Sequence, residues 1–158
     1  MRTLFHSLAY LVLAIWLGAL VFFGAILAPV AFSQLPVHAA GLVVGGSLVR
    51  LHWMAFLCGI VFLVVLLLAR SHYRSIIPPA VLVLVMLVLT AYSQFSLIPR
   101  MDIARASIGG DVDAVANSNP GRQIFDQLHK QSVHIEGIVL LCGLVALVGT
   151  AHFSRREI

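Results

Sequence analysis

Glu136 has the most chemistry at stake in this chain. It lies about one turn inside the apolar run that starts near residue 133. An ionised carboxylate at such a depth is expensive unless something compensates it. A carboxyl there can hold a proton or a cationic ligand, or it can complete a structural ion pair. Arg50 stands at a similar depth in an earlier apolar run, so an Arg50–Glu136 pair is the specific expectation. His52, Tyr92, Gln94, Asp126, His129, Ser132 and His134 belong to the same set, because each falls near the same end of an apolar run. Together with Arg50 and Glu136 they are the candidate ligand-binding residues.

The histidines raise the question of a metal or haem. Asp126, His129, Val133, Glu136 and Gly137 share one helical face. His134 does not, since five residues from His129 is about 500° around a helix. There is no HxxxH, ExxH or CxxC pair, so no metal site is expected. The one pair of histidines that could face each other across a b-haem is His52 with His134. No cofactor is expected. Cys58 and Cys142 stand singly inside apolar runs and read as buried free thiols. GxSxG, Walker and catalytic Ser/His/Asp patterns are missing, so no enzyme is expected.

The elements that position these residues follow from the distribution of charge. The 158 residues are 61% apolar and 10% charged, with ten Lys/Arg against six Asp/Glu. Mean hydropathy is +1.04. Soluble domains carry about 25% charged residues, so an ordinary cytosolic enzyme and a disordered chain are excluded. Residues 3–49, 51–69, 75–99 and 137–154 contain no Asp, Glu, Lys or Arg. A helix needs about 20 apolar residues to cross a bilayer. Four spans result, over about residues 4–27, 48–69, 77–97 and 133–152 of one transmembrane domain covering 1–158. The fold class is an all-α, integral membrane four-helix transmembrane bundle. Ala28-Pro29 is read as the break ending span 1, and Pro99 as opening a short helix after span 3. Residues 98–119 then form the extramembrane connection. Asn119-Pro120 is a helix-start signal, so helix 4 extends beyond the bilayer. Helix 2 extends likewise from near His38. The apolar run of span 1 is too long for the core of a signal peptide, so span 1 is expected to stay in the membrane.

Arg2, Arg70, Arg74, Arg155 and Arg156 flank span ends on the side of the termini, against Glu157 alone. By the positive-inside rule both termini are cytoplasmic, and the polar candidates gather at the outer mouth. His6, His72 and His152 read as flank residues of the inner side. Ala14/Gly18, Gly24/Ala28 and Gly41/Gly45 are small-xxx-small pairs expected to bring helices together. Trp16, in mid-span, is expected to pack inside, and Trp53 to sit in the interfacial belt. The expected partners are the lipid bilayer and other membrane protein subunits. Nucleic acid is not expected despite a pI of 9.7, because half of the basic residues border spans.

Trp16-x-Gly18, Ala28-Pro29-x-x-Phe32-x-x-Leu35, Ala40-Gly41, Tyr92 with Pro99, and Phe125-x-x-Leu128-His129-x-x-Ser132 occur in that order. This pattern resembles the transmembrane protein 205-like family over residues 4–149. The resemblance implies a four-helix membrane protein with mostly bacterial relatives of unknown function, hence a bacterial inner membrane. It also implies importance at Ala28, Pro29, Phe125, Leu128, His129 and Ser132; the expected structural residues are Trp16, Gly18, Pro29, Gly41 and Pro99. A eukaryotic member is associated with tolerance of drugs and metal complexes, and a looser similarity links the family to copper-resistance membrane domains. This chain lacks the methionine-rich or paired-histidine signature that copper transport would need.

Two functions remain. One is a structural or accessory subunit of a larger membrane complex. The other is a binder or transporter of a small ligand, metal or haem at the outer polar mouth.

Overall fold

The computed structural model describes residues 2–73 and 75–153. Arg74, Arg155, Arg156 and Glu157, used above for orientation, lie outside the described residues, as does the side chain of Arg2. Four helices dominate: α1 (Thr3–Gln34), α2 (Val37–Leu68), α3 (Ile77–Ser107) and α4 (Pro120–His152). No strand occurs among the described residues. Each helix is long and apolar enough to cross a membrane. The chain is an all-α four-helix membrane bundle, and its apolar outer surface meets lipid.

Two of the expected helix ends are wrong. α1 does not stop at Leu27, and α3 does not stop at Leu97. Each runs through its proline, after a π-helical turn at Phe23–Leu27 or Ser93–Leu97. Proline lacks an N–H and its ring clashes with the carbonyl four residues back. The π-turn removes the conflict by widening the helix just ahead of Pro29 and Pro99. Ala28 N–H donates to the Phe23 carbonyl, and Ile98 N–H to the Ser93 carbonyl, both five residues back. All four helices therefore contain 31 to 33 residues. At 1.5 Å per residue that is about 46–50 Å, against about 30 Å of hydrocarbon. Overlength is shared by every helix, where only helices 2 and 4 were expected to have it. The connection after α3 shrinks to residues 108–119. Gly109 and Gly110 turn the chain there with φ of 82° and 91°, a region that favours glycine. Asn119 caps α4 as its sequence suggests, its Oδ1 accepting from Gly121 N–H at 2.9 Å.

The helices pack in a ring: α1 on α2, α2 on α3, α3 on α4, and α4 back on α1. The core fills the end of the bundle nearer the termini. It includes Leu13, Trp16, Phe62, Leu66, Val83, Met86 and Val139, all at most 1% exposed. The small-xxx-small pairs do not make the close approaches. Ala14 and Gly18 face outward. A Cβ added at Gly18, Gly24 or Gly45 would meet nothing within 4 Å. Gly41 has only the Arg105 guanidinium nearby, at 3.8 Å. The tight contacts fall instead at Gly59, where a Cβ would lie 2.6 Å from Leu87 Cδ2, and at Gly143, where it would fall on the end of Leu17.

Past the π-turns the ring opens. The first part of α1 (Arg2–Phe22) packs on both α2 and α4, whereas its last part (Ala28–Gln34) packs on α2. The last part of α3 (Ile98–Ser107) stays against α4. Two helix pairs thus separate toward one end of the bundle.

Candidate functional site

The gap between the pairs is a cleft of about 760 Å³, in the size range of small-molecule sites. Its walls are apolar: Leu20, Phe23 and Phe32 on α1, Leu48 on α2, Ile98 and Met101 on α3, and Leu140 on α4. Its glycines (Gly24, Gly41, Gly45 and Gly46) add room, which explains why a Cβ there meets so little.

Buried polar groups lie at the base of the cleft. His52 on α2 is 1% exposed. Its Nε2 lies 2.8 Å from Glu136 Oε1 on α4, and its Nδ1 lies 2.9 Å from Gln94 Oε1 on α3. One imidazole thus ties three helices together. The Glu136 side chain is 15% exposed and lines the cleft, so the triad meets the opening through its carboxylate. The π-turn of α3 supplies Gln94. Across that turn Ser93 and Leu97 are buried, Gln94 is half-buried, and Tyr92 and Phe95 are exposed. Ser132, one turn before Glu136, is 4% exposed and also lines the cleft.

Both His52 nitrogens face oxygen atoms, an arrangement that a doubly protonated imidazolium satisfies completely. With the Gln94 amide turned over, its NH2 would donate to Nδ1 and a neutral ring would be equally satisfied. The triad accommodates either protonation state with no buried partner lost.

The rim is acidic. Asp102, Asp111, Asp113 and Asp126 line the cleft with Glu136, whereas Arg105 is the one arginine or lysine among the lining residues. The Arg105 guanidinium sits 5.1 Å above the Phe125 ring. The His129 ring lies parallel to the Phe125 ring, with centroids 6.2 Å apart. Arg122 fastens the loop over α4, donating to the Val115 carbonyl at 2.8 Å and to Asp113 Oδ1 at 3.3 Å.

Of the sequence candidates, the structure brings His52, Gln94 and Glu136 into contact and places Asp126, His129 and Ser132 in the cleft with them. Three others are elsewhere. Arg50 does not pair with Glu136. It is exposed and donates to the Gly46 carbonyl on its own helix at 3.0 Å, because a long guanidinium reaches outward more cheaply than a buried one is desolvated. Tyr92 is 45% exposed on the outer surface. His134 is exposed and His52 has both nitrogens engaged, so the His52–His134 haem pair does not form. No group of three or more His, Cys, Asp or Glu suited to a metal occurs among the described residues. Asp102, Arg105, Asp111 and Asp113 are lining residues that the sequence does not single out. The passage of α3 through Pro99 brings Asp102 and Arg105 to the rim, and the 108–119 connection folds Asp111 and Asp113 against it.

Residues 11–108 match the family model described as Domain of unknown function (DUF4149). The chain belongs to this family. The matched segment covers most of α1, all of α2 and all of α3, and so contains His52 and Gln94. It ends before α4, which carries Glu136. No curated protein and no solved structure matches the chain.

Proposed function

We propose that this membrane protein binds a small amphipathic organic cation in the cleft, with Glu136 as the counter-charge. The observation that carries the reading is a carboxylate in an apolar cavity whose rim holds Asp102 and Asp111 beside Arg105, with Asp113 and Asp126 paired to Arg122 at 3.3 and 3.9 Å. Apolar walls favour a ligand with hydrocarbon or aromatic surface. The charge balance selects cations over anions of the same shape. The closer kinship to the transmembrane protein 205-like family, supported by the ordered motifs from Trp16 to Ser132, belongs to this reading. So does a cytoplasmic location for both termini in a bacterial inner membrane, supported by the arginine flanks, which turns the cleft outward.

The test uses tetraphenylphosphonium and tetraphenylborate, ions of matched shape and opposite charge, with purified protein in uncharged detergent. Saturable binding of the cation is expected, weakened at least tenfold by Glu136→Gln, with little binding of the anion. Equal binding of both ions, or an unaltered affinity in Glu136→Gln, overturns the reading.

A role as an accessory subunit is the second reading. It is supported by Trp53, Phe56 and Phe95, which stack into one cluster at centroid separations of 5.7 to 6.1 Å, with Trp53 and Phe95 more than half exposed. Co-purification of a defined membrane partner that Trp53→Ala releases would support it. Wild-type protein that purifies alone from mild detergent counts against it.

A further inference from the structure

The His52–Glu136–Gln94 triad has a consequence for how a cation would enter. We infer that a cation at Glu136 and a proton on the His52–Glu136 pair exclude each other, so that each cation bound displaces one proton. The inference rests on the cation-binding reading and deepens it.

When His52 carries two protons, Gln94 Oε1 accepts from Nδ1 and Glu136 Oε1 from Nε2, and the pair is neutral. A ligand cation that reaches the exposed side of Glu136 finds that carboxylate already shared with an imidazolium. Two cations on one carboxylate leave a positive charge on an imidazole that is 1% exposed and has lost part of its counter-charge, which is costly. Release of one proton from His52 restores neutrality. The balance is simple: cation plus protonated pair gives cation–carboxylate plus neutral imidazole plus one proton to solvent.

Gln94 makes the exchange structurally cheap. In the neutral state Nε2–H still donates to Glu136, and Nδ1 accepts from the Gln94 NH2 once the amide turns over. No hydrogen bond is lost in either state. Leu or Met at position 94 could serve neither state, and a carboxylate would serve only the protonated one. Ser132, buried beside Glu136, adds a hydroxyl that carries no charge.

Other titratable and charged groups face the same space. They are His38 on α2, Asp102 and Arg105 on α3, Asp111 and Asp113 in the loop, and Asp126 and His129 on α4. α1 contributes only apolar side chains and glycine to the lining. His38 and His129 are the other imidazoles of the lining, and both are exposed rather than buried. Variants at these two positions therefore separate the rim from the triad.

The experiment is calorimetric titration of the full-length protein in detergent with tetraphenylphosphonium, which has no proton of its own. The titration is repeated at each pH in buffers of different ionisation enthalpy. Across a pH series, the expected result is about one proton released per cation at the acidic end. Release should decline to none at the alkaline end, with affinity rising as pH rises. The release per cation bound should persist in His38→Gln and His129→Gln and be lost in His52→Gln, whatever each change does to affinity. Cation binding with no proton release across the range overturns the inference and leaves the cation reading standing. Loss of the release in His38→Gln or His129→Gln assigns it to the rim and also overturns the inference. Failure of the wild type to bind the cation at any pH overturns both.

Discussion

Replacing His52 and Glu136 by leucine, singly and together, measures what the buried pair is worth and what kind of pair it is. His52→Leu preserves volume but leaves the half-buried Gln94 amide and the Glu136 carboxylate without their shared partner. Breaking a fully buried charge pair costs about 3–5 kcal/mol. Glu136 is 15% exposed and can turn to water in the cleft, which lowers the expected cost to about 2–3 kcal/mol. Glu136→Leu strands an imidazole that is 1% exposed and has no such outlet, for a similar cost of about 2–3 kcal/mol. The double variant removes both partners and replaces them with apolar volume, so it should cost about as much as either single change. The coupling energy is then about 2 kcal/mol. Hydrogen bonds between neutral groups on membrane helices average only about 0.6 kcal/mol, so the value separates an ion pair from a neutral contact. Reversible unfolding in mixed micelles, followed by the emission of buried Trp16, supplies the numbers. Single costs that add in the double variant to within about 0.5 kcal/mol would refute the geometry, since independent sites behave that way.

Gly143→Leu should destabilise the bundle by roughly 1–3 kcal/mol, because even a Cβ there collides with Leu17 and comes within 3.0 Å of Met86; adding Leu17→Ala should recover part of the loss in the same unfolding assay. Tyr73, 2% exposed in the turn between α2 and α3, has its phenol pushed up to about 12 by burial and, secondarily, by Tyr10. The unfolded chain therefore gives up this proton first, near its ordinary value of 10.0, and the stabilisation present below that pH drains away as pH rises toward about 12. The loss is up to about 2–3 kcal/mol, seen as a late phenolate absorbance step that Tyr73→Phe removes. Arg122→Ala should free the loop from α4, raising hydrogen exchange at residues 111–115 while leaving the amides of the Trp16 region protected.

The architecture was legible because charge is so scarce: its gaps mark four apolar runs, and backbone satisfaction in lipid turns such runs into helices. The helix ends near Pro29 and Pro99 were not legible. Proline in sequence reads as a stop, and only a π-turn, which has no sequence signature here, lets the helix continue. That same misreading hid Asp102 and Arg105. Within the site, depth along each span puts His52, Gln94 and Glu136 at one level, and the structure joins them. Depth cannot say which side chain turns inward, so Arg50 was matched to Glu136 on charge alone. Arg50 and His52 are two residues apart and therefore point to different faces of α2, and it is the histidine that faces the bundle.

The position of the triad follows from where apolar packing runs out. Lipid tails are as apolar as leucine, so membrane helices cohere through van der Waals fit and polar contacts rather than through hydrophobic drive. In the closed half of the bundle, fit is supplied by Trp16, Phe62, Met86 and Val139, with Gly59 and Gly143 allowing close approach. In the open half, the cleft removes that fit between the two helix pairs. His52 bridges α2, of the first pair, to α3 and α4, of the second. It holds the pairs together at the level where the cleft begins. The atoms that close the bundle are thus also the atoms a ligand at Glu136 would engage. If Glu136 binds a cation as proposed, occupancy of the cleft is coupled to the separation of α2 from α4, because the cation would take a share of the carboxylate that bridges the pairs.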